Sequence, residues 1–254
     1  TEHSLTKNKT KSLPITILEC PSMRILSVRL YKDNKVIGEF LNSFLEKELK
    51  KKIKFPKAKK DFDEWIKDKD FDDLRVIVYS LVKKTGIKKT PDISEIALGG
   101  SKEEKVNFVK EKLNKEISVK DVFKETQLVD VRGVTKGKGF QGPVKRFGIG
   151  LKSHKSEKGR RRPGSLGPWH PARVTLRAAM AGQPCFFTRS VYNLKILGIK
   201  NEPILLEKYG KLKNDYIILY GSVQGPVKRQ LLLTVPLRKT KYQEKRKFEL
   251  IELR

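Results

Sequence analysis

The chain has 254 residues, 57 Lys and Arg against 29 Asp and Glu, and a formal net charge of +28. Like charges repel in a compact state, so this excess calls for a polyanionic partner, nucleic acid or an anionic membrane. Spanning a membrane is excluded by the longest apolar run, Tyr216 to Tyr220, which is far short of the roughly 18 residues required.

The chain opens Thr-Glu-His-Ser with neither Met nor an apolar signal core, so a start upstream is expected and export is not. Leu13 to Glu19 and Ile25 to Tyr31 are short, apolar and punctuated, and they read as strands. In residues 39–125 the pattern changes. Phe40, Phe44, Leu45, Leu49 and Ile53 recur at helical spacing, and Leu74 to Leu81 reads as a buried strand. Val106, Val109 and Leu113 mark a second helix, with Ser101 and Glu104 at capping-box spacing. Further strands are expected at Leu128 to Val131, Tyr216 to Tyr220, Gln230 to Val235 and Phe248 to Leu253.

Six strands split between the two ends predict a mainly β fold, a closed or nearly closed β-barrel. The expected division is a barrel core from residues 1–38 and 126–254, which includes a long extended segment at 133–182, with 39–125 inserted as an α/β unit. Apolar positions in that insertion are expected to be core.

Charge follows the same division. Residues 39–125 hold 22 basic and 18 acidic residues, whereas the remainder holds 35 and 11. Residues 132–177 hold 13 basic residues and one acid, Glu157. A solvated face mixes both signs, so this stretch reads as a nucleic-acid contact. From Gly133 to Gly167 it is rich in glycine and lacks apolar periodicity, and a loop of that length usually has a function. Glycines let backbone amides approach phosphates. Arg160, Arg161 and Arg162 offer planar guanidinium groups that pair with phosphate and stack on bases.

Two ligand motifs fail in this stretch. Gly137, Gly139 and Gly142 fit a dinucleotide fingerprint, but Pro143, Gly148 and Gly150 argue against the regular helix that motif needs. Gly133 to Lys138 is one residue short of a P-loop and lacks its Ser or Thr. The hexapeptide Gln-Gly-Pro-Val-Lys-Arg occurs twice, at Gln141 to Arg146 and Gln224 to Arg229. It reads as a recurrent turn between strands, as a pair of phosphate clamps or as both, and the RNA contact is preferred. Trp169, between Pro168 and Pro171, is either a core residue or a ring displayed for stacking on a base.

Val134 to Arg146, Gly-Pro-Trp-His-Pro-Ala at Gly167 to Ala172, Ala181 to Gln183 and the second Gly-Pro-Val-Lys-Arg resemble the family of universal large-subunit ribosomal protein number three, archaeal and eukaryotic branch. Ile15 to Met23 is similar to an early strand region of that family. The resemblance implies a β-barrel embedded in large-subunit ribosomal RNA, a role in early subunit assembly and a finger reaching towards the peptidyl transferase centre with Trp169 at its tip. It implies RNA contacts at Lys136, Gly137, Lys138, Gly139, Phe140, Gln141, Lys145 and Arg146. Others are implied at Lys152, His154, Lys155, Arg160, Arg161, Arg162, Trp169, His170, Arg173, Arg177, Lys228 and Arg229. Its partners would be that RNA and neighbouring ribosomal proteins, in the cytoplasm, with no membrane and no small-molecule substrate. Family members begin with a basic extension and a Gly-Met-Thr strand. Neither precedes Thr1, so the extension is expected to lie outside this chain or to be reduced in it.

Other classes read less well. An RNA-modifying enzyme would use Cys185 with His154 or His170 as base, yet the adjoining Phe186 and Phe187 point to a buried structural thiol. A free-standing RNA chaperone or duplex-DNA binder would be expected to show a recognition helix, and none stands out. Neither an enzyme nor a cofactor or metal site is expected; Cys20 and Cys185 are too few and too far apart for a metal site.

Overall fold

A computed structural model describes residues 5, 9–55, 61–67, 69–155, 159–246, 248 and 250–253. The strands are β1 (Ile15–Glu19), β2 (Met23–Lys32), β3 (Lys35–Leu41), β4 (Asp73–Ser80), β5 (Ile93–Ala97) and β6 (Leu128–Val134). They continue with β7 (Thr188–Lys200), β8 (Leu205–Leu206), β9 (Gly210–Lys211), β10 (Tyr216–Tyr220) and β11 (Leu231–Thr234). Helices are α1 (Phe62–Lys67), α2 (Lys102–Lys112), α3 (Val119–Val122), α4 (Pro143–Phe147) and α5 (Lys241–Lys245). The chain divides into two compact units, one of residues 1–128, 195–222 and 239–254, the other of residues 129–194 and 223–238.

The first unit contains the four-stranded antiparallel sheet β3-β2-β4-β5. Leu74, Val76 and Val78 of β4 face one core cluster, while Ile77 and Tyr79 face another. Burial on both faces is why Leu74 to Leu81 reads as a continuous apolar run. In β2 the register shifts between Ile25 and Ser27, so that Leu26 joins the second cluster and Ile25, Val28 and Leu30 the first. A bulge has this effect on alternation. Helix α2 covers the first cluster with Val109. Its N-terminus carries the expected capping box, with Ser101 Oγ accepting from Glu104 N and Glu104 returning the bond.

In the same unit β10 pairs with β1 on one side and with Ile196–Lys200 of β7 on the other. Lys195 is 3% exposed and donates to the carbonyls of Gln243 and Glu244, at 3.3 and 3.0 Å, and to that of Arg246. These are the carbonyls that α5 leaves open at its C-terminal end, so the ammonium caps them.

The mainly β reading holds, but among the described residues no closed barrel is found. The strands lie in open sheets: β1 pairs only with β10, and β11 only with β6. The expected strand Phe248 to Leu253, of which residue 249 lies outside the described residues, is irregular. Its apolar groups pack instead, Phe248 against the Tyr220 ring at 5.1 Å and Leu250 and Leu253 against the cluster around Tyr216. The helix expected through Phe40 to Ile53 is also absent. Phe40 lies in β3, and only a 3-10 turn follows at Lys47–Lys51. The strand had a signal of its own: Asp33 and Asn34, both at positive φ, form the two-residue turn of a β2–β3 hairpin.

Several cations of this unit are held in ion pairs. Arg29 bonds Glu39 and Glu95, and Arg75 and Lys105 both bond Asp73. The hydrogen bond from Lys105 is the main influence holding the Asp73 carboxyl below its usual range, and that from Lys84 does the same for Glu116. A depressed folded-state value contributes stability that is present above the ordinary carboxylate range near about pH 4 and is lost as pH falls through the folded value. The urea midpoint is therefore expected to drop between about pH 5 and pH 2, and Lys105→Met to flatten that drop. In the core, Leu30→Ala is expected to cost about 2–5 kcal/mol. Ile37→Ala, on the half-exposed edge strand, should stay within about 0.5 kcal/mol in the same denaturation assay.

Candidate nucleic-acid interface

The second unit is built on β6. It pairs with β11 through Leu231↔Gly133 to Thr234↔Asp130, and neighbours the first half of β7 on its other side. Asp130 is 5% exposed, and its carboxylate accepts the backbone amides of Asn193 (2.8 Å) and Leu237 (3.1 Å). The acid is thereby committed to holding strands together.

Between β6 and β7 runs the glycine- and arginine-rich segment, and a series of clasps orders it. Thr135 N donates to Phe187 O at 3.0 Å, while Thr135 Oγ1 accepts from the amides of Phe186 and Phe187. Six residues further on, Gln141 and Gly182 exchange backbone bonds of 2.9 and 3.0 Å. Next, Arg146 Nη1 donates to Met180 O at 2.8 Å and Ala181 O at 3.3 Å. Further out, Lys152 N donates to Arg160 O at 3.1 Å, and Arg160 Nε returns a bond to Lys152 O at 3.2 Å.

The expectation that no regular helix follows Gly142 is corrected by α4, which spans five residues. Pro143 does not block it, because proline at the first helical position lacks only an amide that would be unpaired there. Gly148, at φ 69°, ends it in the left-handed conformation.

The two copies of the hexapeptide differ in structure. The first runs into α4. In the second, Gln224 is buried and its amide nitrogen donates to the carbonyls of Val131 (3.1 Å) and Arg189 (2.9 Å). Gly225 has φ 88°, and a Cβ there would lie 2.8 Å from the Val134 carbonyl. A recurrent turn therefore does not account for the repeat.

The twenty residues singled out from the sequence sort into two groups. Sixteen are exposed: Lys136 to Phe140, Lys145, His154, Lys155, Arg160 to Arg162, Trp169, His170, Arg173, Arg177 and Lys228. Trp169 is 88% exposed and Phe140 77%, which removes the core reading of Trp169. The other four, Gln141, Arg146, Lys152 and Arg229, are half-buried in bonds or ring contacts within the segment. Thr135 and Asp130 carry the base of the segment and were not singled out; a lone Thr or Asp beside a strand end has no distinctive sequence signal.

Electrostatically the unit is one-sided. Residues 129–194 and 223–238 hold seventeen Lys and Arg and two acids, Asp130 and Glu157. Glu157 lies outside the described residues, and Asp130 is committed internally. With Lys152 set aside, none of this unit's described Lys and Arg side chains forms an ion pair, whereas the first unit's described residues form fourteen. Arg189 lies over Phe187 at 5.3 Å and Arg229 over Phe186 at 5.7 Å, mixing cation and ring at the segment's base. Leu151, Gly159 and Arg160 to Arg162 line an open hollow of about 530 Å³.

Cys185 is half-buried and the adjoining Phe186 and Phe187 are exposed, which corrects the expectation of a buried thiol at Cys185. Burial does act on the other thiol, pushing Cys20 up to about 12. Among the described residues no cluster of His, Cys, Asp and Glu could hold a metal ion, and no helix is long and apolar enough to cross a membrane.

An open sheet that carries an ordered, cation-rich segment with displayed aromatic rings defines a structural protein that works through its surface. Comparison with known proteins makes this specific. The family model described as Ribosomal protein L3 matches residues 2–254, and the chain belongs to that family. Large ribosomal subunit protein uL3 of Methanocaldococcus jannaschii is 42% identical over 244 residues, covering 89% of this chain and 72% of that protein. The protein of the same name from Picrophilus torridus is 38% identical over 256 residues, covering 94% and 77%. That of Nanoarchaeum equitans is 38% identical over 245 residues, covering 91% and 76%. The chain is a structural component of the large ribosomal subunit and not an enzyme.

The hexapeptide provides an internal control on this geometry. Gly225→Ala is expected to lose at least the about 1–2 kcal/mol of a left-handed alanine, because its Cβ also meets a carbonyl. Gly142→Ala, at the same motif position but at φ −71° with open space around it, should be nearly neutral in the same unfolding experiment.

Proposed function

We propose that this protein binds large-subunit ribosomal RNA through the exposed side chains of residues 133–182 together with Lys228, and that it supports early assembly of the subunit. In this reading the segment is a finger that extends towards the peptidyl transferase centre, with Trp169 at its tip. The observation that carries the reading is the second unit's charge: seventeen cations, two acids and, Lys152 apart, no ion pair among the described side chains. Unpaired guanidinium and ammonium groups on an ordered, glycine-rich backbone suit phosphate. Exposed Trp169 and Phe140 suit unstacked bases, and the lack of a long recognition helix among the described residues favours folded RNA over duplex DNA. Residues 39–125, near charge balance, would bind neighbouring ribosomal proteins or cover the adjoining sheet on the solvent side.

The direct test is sedimentation of a cell extract through a high-salt sucrose gradient. Stoichiometric co-migration with large subunits supports the reading; release at moderate salt makes the protein a loosely bound factor, of the RNA-chaperone kind. Affinity for ribosomal RNA should fall by about 10³–10⁵ between 50 and 200 mM salt if about 6–10 phosphates are neutralised. Trp169→Ala should leave the unfolding transition unchanged, cost about 1–3 kcal/mol of RNA affinity and impair tRNA handling by assembled ribosomes. Loss of folding instead would return Trp169 to a structural role.

A further inference from the structure

The repeated hexapeptide is the one sequence motif that neither a common turn nor a common helix explains. Its two copies share something else. In each, the lysine is exposed, Lys145 in the first and Lys228 in the second. In each, the arginine that follows is half-buried and turned onto the same returning limb, Met180 to Phe187. Arg146 donates through Nη1 to the carbonyls of Met180 and Ala181, at 2.8 and 3.3 Å. Arg229 sets its guanidinium 5.7 Å from the centre of the Phe186 ring. Gly182 leaves the first of these room, since a Cβ there would lie 2.8 Å from Arg146 Nη1 and 2.9 Å from Cζ.

We infer that the hexapeptide is a two-part device in which the lysine faces the phosphates and the arginine braces the returning limb of the basic segment. Arg146 and Arg229 are then positioning residues, not phosphate ligands. A planar fork suits this task. The guanidinium is longer and planar, so it holds the two successive carbonyls from one rigid fork, and a lysine at 146 would lack both that reach and that plane. Carbonyls left open beside so many cations also need donors. Bracing by a cation costs the surface no positive charge. The inference rests on the RNA-binding reading above, and its test separates the two.

The full-length chain would be titrated with deproteinised large-subunit ribosomal RNA of Methanocaldococcus jannaschii over a range of salt, with amide exchange of the free protein followed in parallel. Lys145→Gln and Lys228→Gln should each reduce the slope of log affinity against log salt by about 0.7–0.9, the value of one phosphate contact, and leave exchange unaltered. Arg146→Lys and Gly182→Ala both keep the charge and disturb the fork. Each should leave the slope unchanged and speed exchange of the paired Gln141 and Gly182 amides by at least about tenfold, as loss of a charge-assisted bond implies, with β6 amides still protected.

Arg146→Lys that preserves the slow exchange would overturn the brace. So would a slope reduced by Arg146→Gln as much as by Lys145→Gln with exchange unchanged, which would make Arg146 a phosphate ligand. Loss of β6 protection as well would overturn a local role. A flat salt response of the unaltered chain would instead remove the RNA-binding reading, and the exchange results would still decide the brace.

Discussion

The structure is organised around an unequal distribution of counter-charge within one chain. In the first unit carboxylates stand beside the cations, as in the row formed by Arg29, Glu39, Glu95, Arg75, Asp73 and Lys105. In the second unit the described carboxylate, that of Asp130, is withdrawn into the sheet to hold Asn193 and Leu237. Its cations are left to repel one another and attract a polyanion. An isolated surface ion pair contributes little to stability. The placement of acids therefore bears more on partners than on folding, since the unit poor in them is the one proposed to meet phosphate.

A segment of that charge, with so few apolar contacts of its own, would be expected to remain disordered. Backbone bonds replace the core it lacks. Thr135 joins the segment's two ends, Gln141 and Gly182 pair further along, Arg146 spans two carbonyls, and Lys152 pairs with Arg160. Of the cationic heads, these bonds engage only that of half-buried Arg146 and the Nε of exposed Arg160. Order and positive charge thus coexist because the ordering is done mostly by amides and carbonyls. Such an arrangement reduces the conformational entropy that binding must otherwise overcome.

How far the sequence revealed this depended on the kind of signal. Period-two alternation and double-sided burial marked β1, β2, β4, β6, β10 and β11, and an apolar stripe with its capping box marked α2. Strand β7 was missed because Lys195 sits buried in it and Asn193 adopts positive φ, which together break the alternation. Strand β3 was hidden because its exposed Val36 and Ile37 obscured its period, although the Asp33-Asn34 turn announced it. A closed barrel was inferred from strand number, but Phe248, Leu250 and Leu253 pack irregularly, Ile251 stays exposed, and the described residues of this stretch form no sixth strand. In the site, composition identified the cationic segment and Trp169. It did not separate Arg146 from Lys145, since identical hexapeptides meet different surroundings.

The central claim is that the second unit's unpaired cations contact ribosomal RNA while the charge-balanced residues 39–125 do not. Ultraviolet cross-linking of intact large subunits, followed by mass spectrometry of this chain, tests it most directly. The account predicts RNA adducts concentrated within residues 136–177 and at Lys228 or its neighbours, including Trp169 and Phe140, with residues 39–125 nearly free of them. Adducts concentrated in 39–125, with 136–177 unmodified, would contradict it.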